Sequence, residues 1–180
     1  MLFCLFTRYQ VLLKNCKEIT KSLSSRILFY SENSIKFRKG GRVVRRIFKY
    51  GLAFIKDNKL LVCRPFAFDD YILPGGIKEG EETFLEGLQR EIKEELGEES
   101  ELDPDSVQYF GNFEDLAAGR KDVLVEIELY LGTVNGQIKA SDEIKELIWF
   151  SPSDDRNLLS AIIRNEIFPA LEAKGVLKRS

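Results

Sequence analysis

Apolar and polar positions follow two rhythms along this chain, and the places where one gives way to the other mark its elements. From Thr83 to Leu96, the apolar residues Leu85, Leu88, Ile92 and Leu96 recur every three or four positions, which puts them on one face of a helix. Val123 to Leu131 alternates instead: Val123, Val125, Ile127, Leu129 and Leu131 share one face, and Glu126, Glu128 and Tyr130 the other, as in a strand buried on one side. Ile47 through Ile55 and Lys59 through Cys63 read as two strands joined across Asp57-Asn58, a pair tolerant of the positive φ of a tight hairpin. Tyr71-Ile72-Leu73-Pro74 then leads into Gly75-Gly76. Beyond the helix, Asp103-Pro104 marks a turn, Val107 to Phe110 with Phe113 resumes strand composition, and Ala117-Ala118-Gly119-Arg120 reads as a loop. Asn135-Gly136 is a two-residue hairpin signal that predicts 132–134 folding back on 137–139, and Leu147 to Phe150 is the last strand. Asp154-Asp155 is placed to cap a helix starting near Arg156, with Leu158, Leu159, Ile162 and Ile163 as its packing face, interrupted at Pro169 and ended at Gly175. Strands outnumber helices, and two helices suffice to cover the two faces of one sheet, so the fold class is α+β.

Charge adds a division that hydropathy does not show. Residues 1–49 hold twelve bases against two acids, a balance of +10, so the rest of the chain carries −12 within an overall −2. The chain therefore divides into a basic N-terminal extension, 1–40, and a folded domain, 41–180, with Arg38-Lys39-Gly40-Gly41-Arg42 read as the hinge. The extension is basic, serine-containing and poor in acids, which suits an organellar transit peptide, a bacterial accessory segment or a start codon placed too far upstream. No apolar run approaches the eighteen residues of a membrane span, and an acidic body does not attract nucleic acid polymers. Cys4, Cys16 and Cys63 have neither metal-type spacing nor an even count, so a reducing compartment is the default. The expected location is the cytoplasm, or an organelle if residues 1–40 are a transit peptide.

The helix from Thr83 also carries candidate chemistry. Glu91, Glu94 and Glu95 lie three and four apart beside its apolar face, and Glu98 extends the row. Each like-charged pair costs an isolated helix roughly 0.2–0.5 kcal/mol. Arg90 reaches Glu94 at i,i+4 and Glu82 in the preceding loop, whereas Lys93 falls off the row. A hard divalent cation compensates such a row, because Mg²⁺ takes carboxylate oxygens at about 2.1 Å and bridges to phosphate oxygens.

The run Gly76-x5-Glu82-x7-Arg90-Glu91-Ile92-Lys93-Glu94-Glu95-Leu96-Gly97 resembles the signature box of the Nudix hydrolases, departing only at Glu98, where an apolar residue is usual. The resemblance covers about two dozen residues. It implies a mixed β-sheet sandwiched between helices and Mg²⁺- or Mn²⁺-dependent hydrolysis of a nucleoside diphosphate linked to another moiety. By the same resemblance Glu91, Glu94, Glu95 and the Gly75 carbonyl are metal ligands, joined by Glu143, six residues before Trp149, with Glu146 as its rival. Glu91, Glu94 and Glu143 are the candidate general bases, since the chain has no histidine. Gly76 and Glu82 are candidate cofactor-binding positions, Arg90 would hold the carboxylates with Glu82, and Arg64 is a candidate phosphate contact. Phe113 and Asp115 stand where ADP-ribose-cleaving and dinucleoside-polyphosphate members carry a proline and a tyrosine. This leans toward a nucleoside triphosphate pyrophosphohydrolase of the MutT type. The alternatives are an ADP-ribose or nucleotide-sugar pyrophosphatase, and a non-catalytic nucleotide-binding module. An isoprenoid-diphosphate isomerase of the same fold needs histidine and is set aside. The expected partner is a small nucleotide, with a homodimer left open.

Overall fold

The structure, a computed structural model, describes residues 27–31, 34–39, 42–120 and 122–178, with side chains from residue 45 onward. Ten strands are seen: β1 (Ile27–Ser31), β2 (Ser34–Lys39), β3 (Arg42–Ala53), β4 (Ile55–Lys56), β5 (Lys59–Pro65), β6 (Glu101–Leu102), β7 (Gln108–Leu116), β8 (Val123–Leu131), β9 (Val134–Asn135) and β10 (Ile144–Phe150). Helix α1 is Phe84–Leu96 and helix α2 is Phe168–Ala173. One sheet has the order β1-β2-β3-β8-β7, with β3 parallel to β8 and the other pairs antiparallel. A second, antiparallel sheet has the order β10-β5-β4, and β6 pairs with β9.

Strand alternation sends alternate side chains into two cores. On one side Leu88, Ile92 and Leu96 of α1, all fully buried, pack on Leu52, Leu61 and Tyr130. At roughly 1.5–3 kcal/mol per buried side chain, these three outweigh the like-charge repulsion along the same helix. On the other side Ile163, Ile167, Phe168 and Leu171 pack on Leu60, Val62, Val125, Ile127 and Leu129. The result is the expected mixed-sheet arrangement between helices. Thr83 begins α1 through a reciprocal cap: Glu86 N–H donates to Thr83 Oγ1, and Thr83 N–H donates to the Glu86 carboxylate at 2.7 Å. The hairpin at Asp57-Asn58 forms with φ of 50° and 59°.

Three local readings change. The Asn135-Gly136 hairpin does not form, because β9 pairs with β6 instead. The stretch that was to fold back is taken up by α1, whose terminal carbonyls lack helical partners: Lys139 N–H donates to Leu96 O and Ser141 N–H to Glu95 O. The C-terminal helix starts later than Asp155 suggested. Tyr71 exchanges hydrogen bonds with Leu158 O and Ser160 N–H, so Asp155 caps only a 3-10 turn, Arg156–Leu158, and Leu158 is 49% exposed. A π-helical turn at Ile163–Ile167 runs directly into α2, with Phe168 N–H donating to Ile163 O, and Pro169, which has no N–H to donate, follows at once. Finally, Arg38, Lys39 and Arg42 of the stretch read as a hinge are paired strand residues: Lys39 stands opposite Arg42, and β1 and β2 extend the same sheet as β3, while Gly40 and Gly41 lie outside the described residues. Residues 1–26 lie outside the described residues, and with them most of the segment read as an extension.

Candidate active site

The site is built on β3. Leu52 N–H donates to Pro74 O and Tyr50 N–H to Gly76 O, each at 2.9 Å, so the loop before α1 is held against the strand like an extra half-strand. Residue 75 requires glycine, and residue 76 sits against the Glu91 carboxylate. Gly75 has φ +131°, and a Cβ on it would stand 2.3 Å from Tyr50 O; one on Gly76 would stand 1.8 Å from Glu91 Oε1. The Gly75 N–H donates to Glu95 Oε2 at 2.9 Å, which ties the loop to the helix through a buried carboxylate.

Glu95 is 8% exposed, and its side chain makes no ion pair among the described residues. Burial pushes its pKa up to about 8; the Gly75 N–H and the nearby charge of Lys49 oppose that rise, while Glu91 and Glu143 add to it. Burial likewise raises Glu91, against the pull of Arg90 and Lys49. Arg90 is the hub of the remaining acids. Its Nη2 and Nε donate to the two oxygens of Glu82 at 2.9 and 3.2 Å, its Nη1 to Glu91 at 2.9 Å and Glu94 at 3.1 Å, and its Nη2 also to Ile77 O at 3.1 Å. The Arg90 hydrogen bond, then the Glu79 N–H, hold Glu82 below the usual carboxylate range.

The structure thus brings Gly75, Gly76, Glu82, Arg90, Glu91, Glu94 and Glu95 together. Glu143 is exposed on the far rim of a cavity that Glu94 also lines, and its charge reaches Glu95. Glu146 is committed elsewhere, to Arg64 and to the Tyr71 hydroxyl. Arg64 is paired with Glu146 and stacked over the Tyr71 ring at 5.2 Å. Among the described residues, no three acids, cysteines or histidines gather at one point as a metal cage; the guanidinium of Arg90 occupies the middle of the row. The donors themselves suit a hard dication, being all oxygen, and the Glu91 carboxylate lies so close over Gly76 that a Cβ there would stand 1.8 Å from its Oε1. Sequence reasoning missed Lys49, whose positive charge acts on both Glu91 and Glu95. Its signal was a lone base at an inward position of a strand, between Ile47 and Gly51.

A glycine loop clamped to a parallel strand, followed by a helix with one sunken carboxylate and others tied to an arginine, defines an α/β/α protein with an acidic loop-and-helix centre. The chain belongs to the NUDIX domain family, whose sequence pattern it matches over residues 50–171. It is 34% identical over 99 residues to the ADP-ribose pyrophosphatase of Methanocaldococcus jannaschii, aligning 53% of this chain with 56% of that protein. Its match thus spans little more than half the length of that relative. It is 32% identical over 110 residues to the nucleoside triphosphatase NudI of Escherichia coli, aligning 54% of this chain with 77% of that one. Among solved structures, the MutT NUDIX hydrolase of Burkholderia pseudomallei superposes with a TM-score of 0.56 at 23% identity, over 71% of this chain and 96% of that one. The E. coli ORF135 protein gives 0.55 at 25%, over 72% and 92%.

Proposed function

We propose that this chain hydrolyses the phosphoanhydride of a nucleoside diphosphate linked to another moiety, with Mg²⁺ or Mn²⁺ as cofactor. The observation that carries the reading is the Glu95 carboxylate: sunken beside Gly75, whose N–H it accepts, raised to about 8, and matched by no ion pair among the described residues. A dication between Glu95, Glu91, Glu94, the Gly75 carbonyl and Glu143 would supply the missing charge, and when bound it neutralises the diphosphate for attack. Arg90 keeps its two bonds to Glu82 and its bond to Ile77 O without Glu91 and Glu94, so these two carboxylates are free to exchange the guanidinium for a cation.

The chain's own groups do the rest. With no histidine available, a carboxylate must hold the proton that the attacking water gives up. Glu91 and Glu94 are tied to Arg90; the Glu143 side chain makes no hydrogen bond or ion pair among the described residues, and we assign it that role. As the water oxygen bonds to phosphorus, its proton passes to Glu143. The bridging P–O bond breaks, and its electron pair leaves with the departing phosphate group. Arg90 acts as a positioning residue, fixing the loop through Ile77 and Glu82.

The names of the relatives include both an ADP-ribose pyrophosphatase and a nucleoside triphosphatase, while Phe113 and Asp115 lean toward the triphosphate. The test is product analysis of purified protein with Mg²⁺ on dNTPs, ADP-ribose and nucleotide sugars. Glu94→Gln should remove nearly all turnover. Glu143→Gln should lower kcat. Full activity in Glu94→Gln, or hydrolysis of none of these compounds, would overturn the reading.

A further inference from the structure

The face of β3 that looks away from α1 opens into a cavity of about 270 Å³ beside Gly75. Side chains on this face come from every second residue: Arg45, Ile47, Lys49 and Gly51 all line it. Lys49 stands at the end nearest the carboxylates, since its charge acts on Glu91 and Glu95. Arg45, four residues away along the strand, lies about 13 Å from it by the strand rise. Arg120 joins Arg45 at that outer end, because the Arg45 N–H donates to Asp122 O and brings 117–120 alongside. Phe68 closes the same end, and a Cβ on Gly119 would stand only 3.4 Å from its own Cβ.

Three properties of this slot bear on its occupant. No aspartate or glutamate lines it, although acids outnumber bases in the chain. Its middle is apolar, from Ile47, Ile72, Val125 and Ile162, except for Ser160 Oγ, which belongs to a residue only 2% exposed and has no hydrogen-bond partner. The arginines at its mouth also differ from their neighbour. Arg46, on the opposite face of β3, is neutralised by Glu114 and Glu126, whereas the side chains of Arg45 and Arg120 make no ion pair or hydrogen bond among the described residues. Two uncommitted guanidiniums lining one acid-free slot are the donors that a phosphate takes.

We infer that the part of the substrate entering this slot carries a second phosphate, remote from the scissile diphosphate and held by Arg45 and Arg120, with its ring over the apolar walls and a polar ring atom on Ser160 Oγ. The inference rests on the hydrolase reading for the identity of the inner end, and it narrows the substrate class to nucleotides that bear an additional phosphate on the sugar. A mononucleotide with one phosphate reaches Lys49 alone; a nucleoside bisphosphate spans both ends.

Calorimetric titration of the full chain with adenosine 3′,5′-bisphosphate, adenosine 2′,5′-bisphosphate and AMP, in Mg²⁺, tests this without requiring turnover. At least one bisphosphate should bind about tenfold more tightly than AMP. Because both arginines are exposed, that advantage should shrink as salt rises. The double variant Arg45→Gln, Arg120→Gln should bring the ratio close to one, with circular dichroism confirming that it is folded. Equal affinity for the bisphosphates and AMP in the wild type, or a ratio that survives the double variant, overturns the inference. A preference that the double variant abolishes, in a protein that hydrolyses no diphosphate, would uphold the slot and sink the hydrolase reading instead.

Discussion

Replacing each of the paired glycines with alanine should separate what holds the loop from what works in it. At Gly76 the new Cβ would meet Glu91 Oε1 at 1.8 Å, where ordinary contact begins at 3.4 Å, so the carboxylate must retreat by about 1.6 Å. Glu91 is the far end of a flexible side chain and can move, at the cost of its bond to Arg90, roughly 1.5–3 kcal/mol for a charged hydrogen bond. Its chemistry suffers more. A misplacement of about 1 Å costs on the order of 10²-fold in rate. Gly76→Ala should therefore lower kcat about 10²-fold or more with only a modest loss of stability. At Gly75 the obstacle is backbone, Tyr50 O at 2.3 Å and Gly51 Cα at 3.0 Å, with φ at +131° as well. Neither can yield without breaking the hydrogen bonds that pin 74–76 to β3, so Gly75→Ala should cost about 3–5 kcal/mol. Urea denaturation and steady-state kinetics at saturating Mg²⁺, measured on both variants, decide the matter. If Gly76→Ala kept kcat within about threefold of wild type, Glu91 would not be part of the working site.

Glu95 binds its proton more tightly folded than unfolded, its pKa rising from the ordinary 4.5 to about 8, so its contribution to stability is full below pH 4.5 and is lost as pH climbs through 8. Metal-free protein should thus weaken between those pH values relative to Glu95→Gln, by about 5 kcal/mol at most, as read from denaturation midpoints at pH 5 and pH 8; parallel midpoints would contradict the burial argument. Arg90→Lys keeps the charge but not the planar fork that reaches Glu82, Glu91, Glu94 and Ile77 together, and should lower kcat by about 10–100-fold, with an ammonium-tolerant site showing instead an unchanged rate. Thr83→Ala removes one half of the reciprocal cap on α1 and should cost about 1 kcal/mol in thermal or urea unfolding, with kcat unaffected.

What could be read from the residues depended on whether the deciding interaction was local. The α1 period and the Asp57-Asn58 turn are each set by neighbours within a few residues, and each forms as its pattern requires. The alternation of β8 holds through Leu129, but Tyr130, on the face read as polar, is 6% exposed because α1 packs on it. Asn135-Gly136 carries an equally strong local signal, yet it yields to unpaired carbonyls at the end of α1, forty residues earlier in the chain. The helix expected after Asp155 is delayed for the same kind of reason, since Tyr71 claims the backbone of 158 and 160. The acidic row was legible because α1 presents it at helical spacing. Its depth was not: only the packing shows that Glu95 is sunken and Glu94 half-exposed, and that Glu146 is consumed by Arg64.

Lys49 links the two halves of the molecule in a way that explains why one strand carries both. Arg45, Lys49 and Gly51 share a single face of β3, while the backbone of Tyr50 and Leu52 holds the glycine loop. The position of the carboxylates is therefore fixed by the same strand that lines the slot. A shift of β3 by one residue would turn Arg45 and Lys49 out of the slot, bring the acid-bound Arg46 into it, and move the anchors of Gly75 and Gly76 at the same time. Pairing with β8 at nine successive positions, Arg45 opposite Val123 through Ala53 opposite Leu131, guards against that slip. Register, and not the acids alone, would thus keep a diphosphate within reach of both the carboxylates and the cations.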